Sequence, residues 1–274
     1  MNKFTTLLFS LSVLVACNTP TQQTRPAAKD EPQANAPAIL QLNVVNAYPH
    51  DTSAYTEGFL VHEGQLYEST GTLPDAPPAR RSLFGAVDLR TGAISVKAEL
   101  DRNKYFGEGI SFLKGSVYQL TWKTKVGFIY DAKTFKKTGQ FSFDTEGWGM
   151  TTDGMNLIMS DGSSNIRYYD PAGFKLLKIL GVTDNNGPVG NINELEYING
   201  YIYANIYETN DIIQIDPSSG KVVGRADCSK LKNEADAMYS GSEEMNGIAY
   251  DSAAKKIYVT GKLWPRIYEV RFGN

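Results

Sequence analysis

Cysteine and histidine are nearly absent: the 274-residue chain holds two of each. The thiols are Cys17 and Cys228, and Cys17 falls in a segment read below as lipid-bearing, so no intramolecular disulfide is available and stability has to come from packing. His50 and His62 stand outside any Cys/His cluster of metal-ligand spacing and cannot build a His-rich catalytic centre. Each reads as a surface or turn histidine, and neither a metal ion nor another cofactor is expected. There is no block of Lys and Arg, and 27 basic against 30 acidic residues leave a formal charge of −3, which removes the electrostatic footprint of a nucleic-acid partner. Long Ala, Leu, Glu and Lys runs are scarce too. In their place stand 25 Gly, 16 Tyr and 12 Phe, in a chain 42% hydrophobic and 21% charged. That composition supports a large core, excludes a disordered chain, and favours short strands joined by turns.

The N-terminus reads as an address followed by a tether. Met1-Asn2-Lys3, an apolar segment from Phe4 to Val15, and then Ala16-Cys17 make a secretory leader, too short to span a bilayer as a helix. Its end, Leu14-Val15-Ala16-Cys17, resembles the bacterial lipobox, which implies that Cys17 is lipidated and becomes the first mature residue. Residues 18 to 38 carry four prolines and almost no large apolar side chain, and read as a flexible linker. The expectation is an exported lipoprotein at the periplasmic face, with Asn18 favouring the outer membrane, and a monomeric domain over residues 39 to 274.

Internal repetition decides the fold of that domain. A polar residue with Gly, then four to six residues, then Gly and a Tyr-bearing strand recurs: Glu57-Gly58 before Gly64, Glu108-Gly109 before Gly115, Gly147-Trp148-Gly149 before Gly154, Asn193-Glu194 before Gly200, and Asn246-Gly247 before Lys256. A hairpin follows in four of them, at residues 87 to 96, 130 to 139, 169 to 179 and 215 to 224, with Thr-Gly, Asp-Pro and Ser-Gly as turn formers. Each unit is thus four strands in about 47 residues, the size of a propeller blade. The fifth copy ends with Arg266 to Phe272 and lacks a last strand; Ile39 to Ala47 is the β-prone segment that supplies it. The prediction is an all-β, five-bladed β-propeller with the N-terminal strand completing the last blade, and helix only over Ser229 to Met238. Two stacked β domains are the other arrangement the pattern allows.

In a propeller the innermost strands line the axis, so Glu57, Glu108, Gly147, Asn193 and Asn246 converge there. Two carboxylates and two amides meeting in a channel need partners or a task. Aromatic side chains stand at turns beside them: Tyr55, Phe106, Trp122, Trp148, Tyr207 and Trp264, with Lys262 as a nearby cation. Rings around a few polar groups describe a small-molecule pocket.

Several stretches resemble the glutaminyl cyclase family of plant and bacterial type: Tyr-Thr-Glu-Gly (55 to 58), Tyr-Phe-Gly-Glu-Gly (105 to 109), Gly-Trp-Gly-Met-Thr-Thr-Asp-Gly (147 to 154), Asn-Glu-Leu-Glu-Tyr-Ile-Asn-Gly (193 to 200) and Val-Thr-Gly-Lys-Leu-Trp-Pro (259 to 265). The match runs from about residue 42 to the C-terminus. It implies a five-bladed propeller that turns N-terminal glutamine, free or peptidyl, into pyroglutamate with release of ammonia. It further implies Glu108 as proton shuttle, Asn193 orienting the substrate carbonyl and Lys262 stabilising the oxyanion. Trp122 and Trp148 would wall the pocket, and Phe106 would pack on the substrate's methylenes.

Two positions depart from the plant pattern, which has Phe-Thr-Gln-Gly and Asn-Ile-Trp. Here Tyr55-Thr56-Glu57-Gly58 carries a second acid, and Asn205-Ile206-Tyr207 a smaller ring. Two roles suit Glu57: binding the substrate amine as a cation, or raising the pKa of Glu108 by like-charge proximity. Two other functions remain compatible with the residues themselves, a metal-dependent propeller lactonase or esterase and a tethered binding module without catalysis.

Overall fold

The computed structural model describes Met1 and residues 36–273, so the leader, Cys17 and nearly all of the linker lie outside the described residues. The repeat appears as five four-stranded antiparallel blades. Blade one is Thr56–His62, Gln65–Thr70, Leu83–Val87 and Ile94–Glu99; blade two is Gly107–Leu113, Ser116–Thr121, Val126–Asp131 and Lys137–Ser142. Blade three is Met150–Thr152, Leu157–Ser160, Asn165–Asp170 and Lys175–Gly181; blade four is Ile192–Ile198, Tyr201–Ile206, Asp211–Ile215 and Val222–Asp227. The first hairpins of blades one, two and four turn through Glu63-Gly64, Lys114-Gly115 and Asn199-Gly200. All six residues have positive φ, the geometry that matches the twist of a two-residue hairpin.

Blade five comprises Met245–Asp251, Lys256–Gly261 and Arg266–Gly273 and is completed by Gln41–Pro49, which pairs antiparallel with the C-terminal strand (Leu42 opposite Phe272, Tyr48 opposite Ile267). The closing strand therefore lies two residues later than its expected span. Ala38 and Ile39 instead pair in parallel with Gly224 and Arg225 of blade four. Leu40, buried between these two pairings, sits in the core shared by blades four and five, and this burial sets where the chain crosses from one blade to the next. The helix Ser229–Met238 packs Leu231 and Ala235 onto the same core, beside the buried free thiol of Cys228.

At the axis the inner strands nearly touch. A Cβ on Gly58 would stand 2.8 Å from Ile110 N, one on Gly109 2.5 Å from Met150 N, and one on Gly149 2.2 Å from Asn193 O. Only glycine allows that approach. Blade four has Glu194 at this level, and its carboxylate accepts the Phe59 N–H at 3.3 Å and the Ile248 N–H at 2.8 Å. One buried side chain thus joins blades four, one and five. Glu196 does the same one layer along, accepting from Tyr250 N–H at 2.8 Å and Thr151 Oγ1 at 3.1 Å. Burial drives the Glu194 pKa well above the usual carboxylate range and that of Glu196 to about 8.

Replacing Gly149 with Ala forces a methyl group against backbone that has no room to yield. The expected loss is about 2 kcal/mol of stability, the usual cost of overpacking. Urea unfolding measures it, and an unchanged midpoint contradicts the close approach at the axis.

Candidate active site

The residues one position ahead of Gly58, Gly109 and Glu194 reach the same end of the channel. Glu57, Glu108 and Asn193 meet there in a cup of about 190 Å³ whose other walls are Tyr55, Leu73, Phe106, Trp122, Trp148, Tyr207 and Lys262. The blade-three member of this column is Trp148 and not Gly147. The axial glycine of that blade is Gly149, and Gly147 lies one residue too early, its N–H donating to Trp122 O at 3.1 Å. Asn246 lies behind the wall, with Nδ2 donating to Glu57 Oε2 and to Thr56 O, each at 3.0 Å.

The polar floor is one cation between two acids. Lys262 Nζ lies 2.8 Å from Glu57 Oε1, with side-chain exposures of 6% and 3%. Burial pushes the Glu57 pKa up to about 7 even though Lys262 pulls it down. Burial also acts against the charge of Lys262, but Glu57 and Glu108 outweigh it and hold that pKa above its ordinary value. Glu108 is driven well above the carboxylate range, first by burial and then by the neighbouring Glu57. Among the described residues its carboxyl has no hydrogen-bond partner, and the Oδ1 of Asn193 is likewise buried and unpartnered. A carboxyl without a partner that lines a buried cup is a group awaiting a ligand.

The aromatic side chains form a rim in a fixed order. Tyr55 meets Phe106 edge-on at 6.1 Å, and Phe106 meets Trp122 at 5.6 Å. Trp148 meets Tyr207 at 5.5 Å. Glu146 joins the two halves, its Oε2 accepting from Trp122 Nε1 at 2.7 Å and from Trp148 Nε1 at 3.0 Å. On the opposite side Lys262 Nζ stands 4.6 Å from the Tyr55 ring centre and 5.3 Å from that of Tyr207. Two glycines let the rings lie where they do. A Cβ on Gly71 would fall 2.0 Å from the Phe106 ring, and one on Gly162 2.6 Å from Trp148.

The glutamine cyclotransferase family model matches residues 12–272. The chain belongs to that family. It is 37% identical over 236 residues to the glutaminyl-peptide cyclotransferase of Arabidopsis thaliana, covering 85% of this chain and 72% of that protein. The crystal structure of Myxococcus xanthus glutaminyl cyclase matches with a TM-score of 0.77 at 32% identity, over 86% of this chain and 98% of that one.

Of the family-like positions, Trp264 is not in the cup. Leu263 takes a positive φ of 60°, and the turn sends the Trp264 side chain inward, where it is fully buried. There it lies on Gly261, meets Tyr268 edge-on at 6.2 Å and donates from Nε1 to Glu243 O at 2.9 Å. It steadies the turn that carries Lys262 rather than a substrate. His50 is no surface histidine either. Its ring is fully buried, with Nδ1 2.8 Å from Trp264 O and Nε2 3.0 Å from Glu68, so it ties the same turn to blade one. Burial opposes its protonation, yet Glu68 prevails and raises the pKa.

Leu73, on the cup wall, and Glu146, which holds two of its indoles, also belong to the site, and the repeat pattern marks neither directly. Leu73 lies in an insertion between strands, where no repeat marks it. Glu146 had a signal: with Trp148 in the column, it falls two residues ahead, where blades one and two carry Tyr55 and Phe106. The two indoles it holds are expected to loosen in Glu146→Ala, seen as increased acrylamide quenching of tryptophan fluorescence with little change in melting temperature. Trp264→Ala is expected instead to cost about 4 kcal/mol of stability, as truncation of a buried indole does. Equal quenching in Glu146→Ala and the unsubstituted protein rejects the clamp.

Proposed function

We propose that the cup cyclises N-terminal glutamine of peptides to pyroglutamate and releases ammonia, with Glu108 moving the protons and without recourse to a metal. The observation that carries this reading is the Glu108 carboxyl: buried, raised in pKa, free of hydrogen-bond partners among the described residues, and open to the cup beside Lys262 and Asn193.

Cyclisation asks for three things. The α-amine has to attack as the neutral base, and its own pKa is about 8. The side chain has to be curled so that the amine nitrogen faces the side-chain amide carbon, and a cup of about 190 Å³ walled by aromatic rings suits that compact geometry. Protons have to move from the attacking nitrogen to the departing one. When the new C–N bond forms, the carbonyl oxygen becomes an oxyanion and the attacking nitrogen carries a surplus proton. The Glu108 carboxylate takes that proton. It then returns it to the amide nitrogen as the old C–N bond breaks, leaving the lactam and ammonia. Raising the Glu108 pKa brings it nearer that of the amine, which suits one group to act as base and then as acid.

Lys262 Nζ and the Nδ2 amide of Asn193 are the donors to the oxyanion in this reading. One Lys262 donor is engaged by Glu57, and the other two remain for the substrate oxygen. Glu57 therefore acts chiefly through its neighbours: it holds Lys262 in position and keeps the Glu108 pKa high.

Glu108→Gln is expected to fold normally and to lose about 10³-fold in kcat, the share typical of a positioned acid–base group. Mass spectrometry of a Gln-initiated peptide reads the loss of one ammonia. Full activity in a folded variant sinks the assignment. Glu57→Gln removes a negative charge beside Glu108 and leaves Lys262 free to favour the Glu108 carboxylate, so both changes lower the Glu108 pKa. The acid limb of the kcat/KM profile is then expected at lower pH than in the unsubstituted protein, and a shift to higher pH contradicts the coupling.

A further inference from the structure

A second cavity of about 350 Å³ adjoins the first and shares Tyr55, Leu73 and Phe106 with it as a common wall. We propose that this cavity is the subsite for the residue that follows the cyclising glutamine, that it takes an apolar side chain, and that Arg80 holds the main chain there. The proposal rests on the cyclase reading of the first cup.

The cavity is built from the insertion of residues 71 to 82, which joins Gln65–Thr70 to Leu83–Val87 and carries Pro74, Pro77 and Pro78. This loop is tied down. The guanidinium of Arg102 donates to four of its carbonyls, those of Leu73 at 2.9 Å, Pro74 at 3.2 Å, Ala76 at 2.7 Å and Arg80 at 3.2 Å. Three prolines and one guanidinium on four acceptors give a preformed wall, as binding pockets generally require. The wall faces the cavity with Leu73, Ala76 and Pro77. Leu73 stays 49% exposed among the described residues, an apolar side chain held at the boundary between the two cups.

Arg80 lines the same cavity and is only loosely engaged. Its ion pair with Glu243 spans 3.7 Å, beyond hydrogen-bond distance, and its guanidinium carbon lies 5.8 Å from the Tyr55 ring centre. Among the described residues the guanidinium makes no hydrogen bond, so its donors are available for peptide carbonyls. The chemistry of the substrate fits this layout. After the amine and side chain of glutamine have curled into the first cup, the α-carbonyl is the one exit for the chain, and the shared wall puts the next residue beside Leu73. An acidic second residue would meet Asp75 and Glu243 as well as Arg80, whereas an apolar one meets Leu73, Ala76 and Pro77.

The test compares glutamine amide, Gln-Gly-amide and Gln-Leu-amide as substrates of the unsubstituted protein, Ala76→Asp and Arg80→Ala. The unsubstituted protein is expected to prefer Gln-Leu-amide over Gln-Gly-amide by about tenfold in kcat/KM, the discrimination a small apolar pocket typically provides. Ala76→Asp is expected to bring that ratio close to one. Arg80→Ala is expected to lower both dipeptide amides relative to glutamine amide. A ratio near one in the unsubstituted protein, or a preference that neither variant alters, overturns the subsite while leaving the cyclase standing. If glutamine amide and both dipeptide amides release no ammonia, the reading of the first cup fails and the subsite falls with it.

Discussion

The structure depends on how closely the inner strands approach one another at the axis. Backbone meets backbone at Gly58, Gly109 and Gly149 with no space for a Cβ, so the residues just ahead of these glycines have nowhere to go but the open end of the channel. Crowding of main chain thus becomes convergence of side chains. It delivers Glu57, Glu108 and Trp148 to one cup from three blades, and Asn193, one residue ahead of Glu194, joins them from a fourth. In the layers beneath, the buried Glu194 and Glu196 join the blades by accepting from backbone N–H groups.

Buried carboxylates are costly, and this protein concentrates them along its axis. Each one meets the cost differently. Glu194 and Glu196 gain backbone donors; Glu57 gains a lysine and an asparagine; Glu68 gains His50 and the Thr56 hydroxyl at 2.7 Å. Glu108 alone among these has no such partner within the described residues, and burial together with the neighbouring Glu57 drives its pKa up. The chemistry proposed for the cup uses an axial acid that packing leaves unpaired among the described residues. Around it the rim is held by polar contacts outside the cup, Glu146 on two indoles and the His50 and Trp264 contacts under the Lys262 turn.

Much of this was legible in the residues, and the failures have local causes. Five copies of a glycine-punctuated repeat, and a missing last strand matched by an orphan first one, pointed to a closed five-bladed ring because an open edge is unstable. The column of polar residues followed from the repeat phase. It slipped by one residue in blade three, where Gly147 and Gly149 flank Trp148 and either could stand for the repeat's glycine. Trp264 was misplaced because sequence proximity to Lys262 says nothing about which way a turn with a positive φ rotates the next side chain. Nothing in the sequence marks His50 as buried, since its partner Glu68 lies on another strand and no spacing rule connects them. Ile39 left the closing strand because Leu40 finds its place in a core contributed by blades four and five.

What the chain by itself determined is what depends on periodicity and on residue type: the number of blades, the hairpin turns that need positive φ, the inventory of acids, amides and rings at repeat-equivalent positions, and the family those residues resemble. What only the tertiary structure decided is which of those groups are paired. Lys262 with Glu57, Glu146 with two indoles, Arg102 with four carbonyls of a loop, and Glu108 with no partner among the described residues are matters of how distant segments meet. Their distances are set by the closure of the ring and the packing of the blades, and no local pattern of residues carries that information.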